Sequence, residues 1–431
     1  CEEGGDGGGG GVGGGSSSSG NSGGQGGNSS GGGVPGGSGA GPGAGSDSGG
    51  GSTTGGIEAS CPFIYAWNGD DFVLEHEATP LSIAESLEAT SHQTLRSLKN
   101  IDGELLMKIT EERDEVSHID AVHMRSVDVA DPSLDVMPDI NGDVHTIAEL
   151  KKPTTCTTSL GDDCVAELST QDEVVTMMEP EDVLAITPDD TLNGIELTFE
   201  KPDDAEAAKI VLHVEKNPVM QDFIKKTTQR LGARGYTFAD WLLTLPPLDH
   251  ILQNAFTQND IYLTADIWTG TTWRTIGVVQ TGDYRNWDDF LIAADISDVA
   301  GDELKIKLSS RAWYVYDAAA VDYSANAEMT TQDIELTHLT KNDDVIDPSL
   351  LFSADHDRMT MHKGDVMTLR FSDPKLTAGR RHYVTDVTGY YIPNAPEQDI
   401  FMGIKSVFDF SWYLLQDNGL QTLFSEFIKD K

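Results

Sequence analysis

Basic side chains are scarce. The 431 residues carry 29 Lys and Arg against 71 Asp and Glu, a formal net charge of −42. Binding to a phosphate backbone requires Lys and Arg to replace its counterions, so this balance argues against nucleic acid as a partner. Attraction to anionic lipid headgroups is disfavoured for the same reason. Long apolar runs are also missing. No stretch reaches the roughly 18 consecutive apolar residues that a membrane-spanning helix needs. Cysteine is sparse, four in all, with no Cys-x-x-Cys pair and no His at finger spacing, which argues against zinc. The body also lacks a Walker A sequence, a His-Glu-x-x-His pair and the dinucleotide glycine fingerprint.

Glycine is in excess, and only locally. Of 45 Gly, 29 fall in residues 1–56, together with 11 Ser. Such a segment cannot bury enough surface to offset its conformational entropy, so it is expected to be disordered. As a random coil it reaches roughly 40 Å. A Cys1 followed by this tether leads to the expectation of a bacterial lipoprotein, processed by signal peptidase and acylated on Cys1. Glu2 stands where Asp would retain such a protein at the inner membrane, so the outer membrane or cell surface is the expected location. The Gly27-Asn28-Ser29-Ser30-Gly31 match to a nucleophile elbow lacks the flanking strand and helix and carries no weight. Five of the acids and none of the bases lie in residues 1–60, so the body holds 66 acids against 29 bases.

Period-2 alternation recurs along residues 61–372 and predicts strands. Phe63, Tyr65 and Trp67 alternate before an Asn68-Gly69 turn. Leu105, Met107 and Ile109 form another series, as do Ile195, Leu197 and Phe199. Ile210, Leu212 and Val214 follow, then Leu304, Ile306 and Leu308. The expected class is mainly β: one or two antiparallel β-sandwich units, jelly-roll or immunoglobulin-like. Asn217-Pro218 opens a helical insertion over about 217–256, with Gly232 as a stop. Leu420, Leu423, Phe424, Phe427 and Ile428 predict C-terminal amphipathic helices. The expected organisation is a tether at 1–60, β-rich domains at 61–204 and 205–392, and a helical segment at 393–431. Residues 104–110 resemble 303–309, and 119–122 resemble 316–319, as two β units of similar plan would.

Cys156 and Cys164 flank a short polar loop and are the expected disulfide, which an exported protein permits. Cys61 is left buried and reduced, or as an odd thiol. Asp139-Ile140-Asn141-Gly142-Asp143 alternates oxygen ligands but fails the EF-hand pattern, so an Asn-Gly turn is expected there. No cofactor is expected, and an irregular calcium site among the many carboxylates is the one alternative. His118 and His123 sit an odd number of residues apart on one strand, which sends them to opposite faces. Asp355-His356-Asp357 and His362 read as a solvated turn. Four of the seven Trp lie between Trp268 and Tyr323. Exposed aromatics beside hydrogen-bonding groups suit flat sugar faces or protein hot spots. The candidate ligand residues are Trp268, Trp273, Tyr284, Arg285 and Trp287.

The opening Cys61-Pro62-Phe63-Ile64-Tyr65-Ala66-Trp67-Asn68-Gly69, the Asp120-Ala121-Val122 run and the Trp313–Tyr323 strand resemble a group of uncharacterised bacterial surface lipoproteins, over residues 61–392. No activity or catalytic residue follows from that resemblance. Leu263–Tyr323 also looks like jelly-roll modules of the galactose-binding type, a likeness of fold alone. The expected function is a lipid-anchored binding or structural protein of the cell envelope, with a glycan or an envelope protein as partner. Two alternatives stand beside it: an extracellular hydrolase with a carboxylate site, and an accessory subunit of an outer-membrane complex.

Overall fold

Where apolar side chains alternate with polar ones, the chain forms a strand with its apolar face buried. Leu105, Met107 and Ile109 are fully buried within Glu104–Thr110, as are Leu304, Ile306 and Leu308 within Glu303–Ser309. Each such side chain contributes about 1.5–3 kcal/mol on leaving water. The computed structural model describes residues 62–79, 85–172, 175–177, 194–217, 262–279, 287–310, 314–373 and 379–394, with positions 229–235, 237–238, 240–241, 244–245, 376 and 405.

In chain order, a first set of strands comprises β1 Phe63–Trp67, β2 Phe72–Glu77, β3 Ala89–Thr94, β4 Glu104–Thr110 and β5 Glu115–Val129. A hairpin follows, β6 Asp135–Pro138 and β7 Val144–Ile147. Next come β8 Thr155–Thr158, the short helix α1 Val165–Leu168, β9 Thr176–Met177, β10 Gly194–Glu200, β11 Ala207–Lys216 and β12 Leu263–Trp268. These continue with β13 Trp273–Val279, β14 Asp288–Asp295, β15 Glu303–Ser309 and β16 Tyr314–Asp322. The chain then returns through β17 Met329–Lys341, β18 Asp344–Ile346, β19 Met359–His362, β20 Val366–Ser372 and β21 Arg380–Pro393. Every strand pairing among the described residues is antiparallel.

β1–β5 and β17–β21 build one ten-stranded sheet in the order β2-β1-β4-β20-β17-β5-β21-β3, with β18 on β17 and β19 on β5. It curls into a nearly closed barrel. Its core joins both chain segments: Ile64, Met107 and Met124 pack with Leu336, Leu369 and Phe371. The strands between form a sandwich of two sheets, β13-β12-β15-β10-β8 and β14-β11-β16-β9. Leu197, Phe199 and Ile306 from one sheet pack against Ile210, Leu212 and Val321 from the other. The class is therefore mainly β with antiparallel sheets, as expected.

The order of strands departs from the expected division at residues 204 and 205. The sandwich is inserted into the barrel between β5 and β17, and the expected boundary falls between β10 and β11, which share one core. Local alternation marks each strand but not its partner, and β5–β17 and β4–β20 pair across more than half the described chain. The expected repeat also has no counterpart in strand placement. β4 and β5 share one sheet, whereas β15 and β16 lie on opposite sheets of the sandwich.

The β6–β7 hairpin packs on both modules. Val136 and Val144 join Val127, Val129 and Val384 of the barrel, while Met137 and Ile147 join Leu291 of the sandwich. On β21, Gly389 sits where the register to β5 shifts, and a Cβ there would lie 2.4 Å from the His118 carbonyl oxygen. Only glycine lets the two long strands stay paired through that shift. In the expected helical insertion, residues 229–235 are helical and run through Gly232, whose φ is +62°. The tether at 1–60, the C-terminal amphipathic stripe and Cys61 lie outside the described residues. No helix among the described residues is long and apolar enough to cross a membrane.

Cys156 and Cys164 are disulfide-bonded, with Cα atoms 5.0 Å apart, and both are buried in the sandwich core. Closing so short a loop removes little chain entropy, about 2–3 kcal/mol. Replacing both cysteines by Ser should lower sandwich stability by about that amount, read as a drop in thermal unfolding midpoint that matches the effect of dithiothreitol on the native chain.

Candidate functional site

β2 and β3 end the path of the barrel sheet, and no ladder joins them. Side chains close the seam instead. Ser91 Oγ donates to the Ala78 carbonyl at 2.6 Å, and His76 Nε2 lies 3.1 Å from the Thr94 carbonyl. The Glu75 carboxylate accepts the backbone N–H groups of Arg96 and Ser97 at 2.9 and 2.6 Å. A cleft of about 240 Å³ opens beside this seam. Glu77 and Thr79 follow from β2, Ser91, His92 and Gln93 come from β3, Asp139 from the hairpin turn, and Asp288 to Leu291 from β14. β14 is the edge strand of its sheet, where the Ile140 N–H donates to the Leu291 carbonyl at 3.0 Å, so the cleft forms where three sheet edges meet.

Three of its carboxylates, those of Asp139, Asp288 and Asp289, lie beside basic side chains. Asp288 Oδ1 lies 3.2 Å from His76 Nδ1 across the two modules. Asp289 takes Arg96 at 3.0 Å and His213 Nδ1 at 2.6 Å, and Arg96 also reaches Asp135 at 2.7 Å. Asp139 accepts the backbone N–H groups of Asn141 and Asp143 at 2.9 and 3.0 Å, and lies 3.2 Å from His145 Nε2. The 139–143 segment is thus an Asn-Gly turn, with Gly142 at φ +87°. His92 is held by Asp386 at 2.7 Å, which also takes Arg125 at 2.8 Å, and a Cβ on Gly142 would come 2.7 Å from the His92 ring.

Burial alone would lower the His76 pKa, but the hydrogen bond and charge of Asp288, the Thr94 carbonyl and Glu75 outweigh it, so the net shift is upward. Burial would raise the Asp289 pKa, but His213, Arg96 and the charge of His76 outweigh it and hold Asp289 down.

The candidate aromatic residues separate. Trp268 and Trp273 face each other at the tip of the β12–β13 hairpin, ring centroids 5.5 Å apart, with Lys307 Nζ 5.7 Å from the Trp273 ring. Val278, the β13 residue on the cleft, lies five positions further along, about 16 Å at strand rise. Trp287 stacks on His213 at 4.9 Å and 14°, which places it behind Asp289 and next to the cleft. Tyr284 and Arg285 lie outside the described residues. Sequence reasoning missed Thr79, His92, Gln93, Asp288 and Asp289 as a set. The available signal was the Asp288-Asp289 pair opening a strand, with His76 and His213 set in apolar alternation.

A second polar cluster lies in the barrel. Glu88, Asp120 and His356 bring one ligand atom each within 4.8 Å of one another. Arg358 already fills their centre of charge. Its guanidinium lies 2.5 Å from His356 Nδ1, 3.2 Å from Glu88, 3.8 Å from Asp120 and 2.7 Å from Glu85. His118 stacks on Tyr390 at 4.7 Å, and Arg358 stands 5.0 Å from the same ring. His123 is exposed.

No family model and no curated protein matches the chain. Among solved structures, a viral particle of infectious bursal disease virus aligns at 8% identity over 87% of each chain, TM-score 0.16. A subviral particle of that virus aligns at 8% identity over 87% of this chain and 91% of the other, TM-score 0.14. The Gx strain aligns at 10% identity over 79% of each, TM-score 0.11. At these scores the likeness carries no argument.

The two shifts set a pH window for the seam. The raised His76 pKa adds stability that is complete below its unfolded value of about 6.5 and is lost as pH rises through the folded value. The lowered Asp289 pKa adds stability that is present above about 3.8 and is lost as pH falls through the folded value. Urea midpoints should therefore be highest between about pH 4 and 6.5. His76→Gln should flatten the fall on the alkaline side and leave the acid limb in place.

Proposed function

We propose that this is an exported binding protein of the bacterial envelope, anchored by lipid on Cys1. The Gly/Ser segment holds the β-rich body away from the outer membrane or cell surface, and the body takes a glycan or an envelope protein as ligand. The observation that carries the binding reading is the polar cleft at the meeting of three strand edges. Two further features support the location. A disulfide between Cys156 and Cys164 suits an oxidising compartment. The residues 61–69 opening resembles that of surface lipoproteins.

Binding is favoured over hydrolysis by the state of the cleft. A glycosidase needs one carboxyl with a raised pKa as its acid. Asp289 is held ionised by His213 and Arg96. Glu111, whose burial pushes its carboxyl up to about 7, lies outside the cleft at the end of β4. Matched carboxylates of this kind accept hydrogen bonds from a ligand without taking part in proton transfer.

Mass spectrometry of the chain recovered from bacterial membranes should find acyl mass on the Cys1 peptide, and an unmodified thiol there would remove the anchor. On an array of bacterial and host glycans, the native chain should bind a defined subset. Trp287→Ala should weaken that binding about tenfold by loosening His213 and Asp289, and Trp268→Ala should change it by less than about twofold. Turnover of a polysaccharide in place of stable binding would move the assignment to a hydrolase.

A further inference from the structure

Resting on the reading of the seam cleft as the ligand site, we propose that it takes one neutral sugar residue and not a cation. Thr79 lines the cleft and is 1% exposed, and its buried hydroxyl has no hydrogen-bond partner. A buried hydroxyl left unpaired costs about 1–3 kcal/mol, and native structures rarely leave one so. An unmet donor and acceptor on a cleft wall calls for a ligand that offers both, and a sugar hydroxyl does.

The charge state of the cleft points the same way. Asp288 is paired with His76, Asp289 with Arg96 and His213, and Asp139 with His145 and two backbone amides. Arg96 on Asp289 and the imidazoles beside Asp288 and Asp139 stand where a cation would have to sit. A carboxylate has about four acceptor sites, so each still has lone pairs for a neutral donor. Calcium asks instead for six to eight oxygens at about 2.3–2.6 Å. Among the described residues, no three carboxylates and imidazoles of the cleft approach within 4.8 Å, as Glu88, Asp120 and His356 do in the barrel. Phe290 gives the cleft a half-buried aromatic face, and Gln93 adds an amide that both donates and accepts. Hydroxyl acceptors around an apolar patch match the faces of a sugar ring. A volume of about 240 Å³ falls below the roughly 300–1,000 Å³ of drug-sized pockets and suits a single ring.

The test is an amide chemical-shift titration of the isotope-labelled full chain, followed at residues 89–93 and 288–291. The probes are glucose, galactose and mannose, then calcium chloride, then spermidine. At least one sugar should shift these amides, with calcium and spermidine leaving them in place. Thr79→Val keeps the side-chain shape and should weaken sugar binding about fivefold, the worth of one hydrogen bond. Should that variant fail to fold, Gln93→Ala should show a similar loss. Unchanged sugar affinity in the folded variants would overturn the proposal, as would sugar-induced shifts confined to the Trp268 and Trp273 hairpin. Shifts with calcium or spermidine and none with sugar would overturn the sugar assignment while keeping the cleft as a ligand site. No shift with any probe would overturn both.

Discussion

Two ion pairs, His76 to Asp288 and Arg96 to Asp289, fasten the open seam of the barrel to the edge strand of the sandwich. The rest of the architecture depends on covering those edges. A barrel that fails to close leaves unpaired backbone groups at β2 and β3, and an exposed edge is a template for unwanted pairing. Here β14 and the β6–β7 hairpin cover them with side chains. Buried pairs such as His76 and Asp288 add little net stability against an apolar substitute, since desolvation offsets most of the attraction. Their loss is expensive because a charge is then stranded. They therefore specify how the two modules meet more than they stabilise either one.

The same fastening creates the cleft. Three edges that do not share a ladder cannot pack flush, and the gap between them is lined by the polar groups that close the seam. Structural and recognition roles thus fall on the same residues. Asp288 and Asp289 hold the modules together through His76 and Arg96, and both line the cleft. The barrel's second polar cluster shows the contrasting outcome. There Arg358 sits among Glu85, Glu88 and Asp120 as the resident counter-charge, and the group is filled by the protein's own side chain.

The excess negative charge finds a partial account in this arrangement. Buried acids such as Asp288, Asp322 and Asp373 are paired with His76, Lys209 and Arg381. With 66 acids against 29 bases in the body, acids outnumber bases by more than two to one. A net negative surface keeps the protein soluble and favours neutral or weakly basic ligands over polyanions.

Much of the fold was legible in the residues themselves. The alternation of Leu105, Met107 and Ile109, and of Leu304, Ile306 and Leu308, determines strands with one buried face, because a one-residue slip would expose the whole apolar set. The Asn141-Gly142 turn and the closeness of Cys156 to Cys164 were equally local. The clustering of Trp268, Trp273 and Trp287 was visible too, but it proved to be nearness in sequence across two different sheets. What only the tertiary structure decided was partnership: that β5 returns to β17 around an inserted sandwich, and that His76 meets Asp288 across 212 positions. Strand pairing and ion pairing over such distances rest on edge closure and on buried charge seeking an opposite. Both act between segments, and neither leaves a periodic trace along the chain.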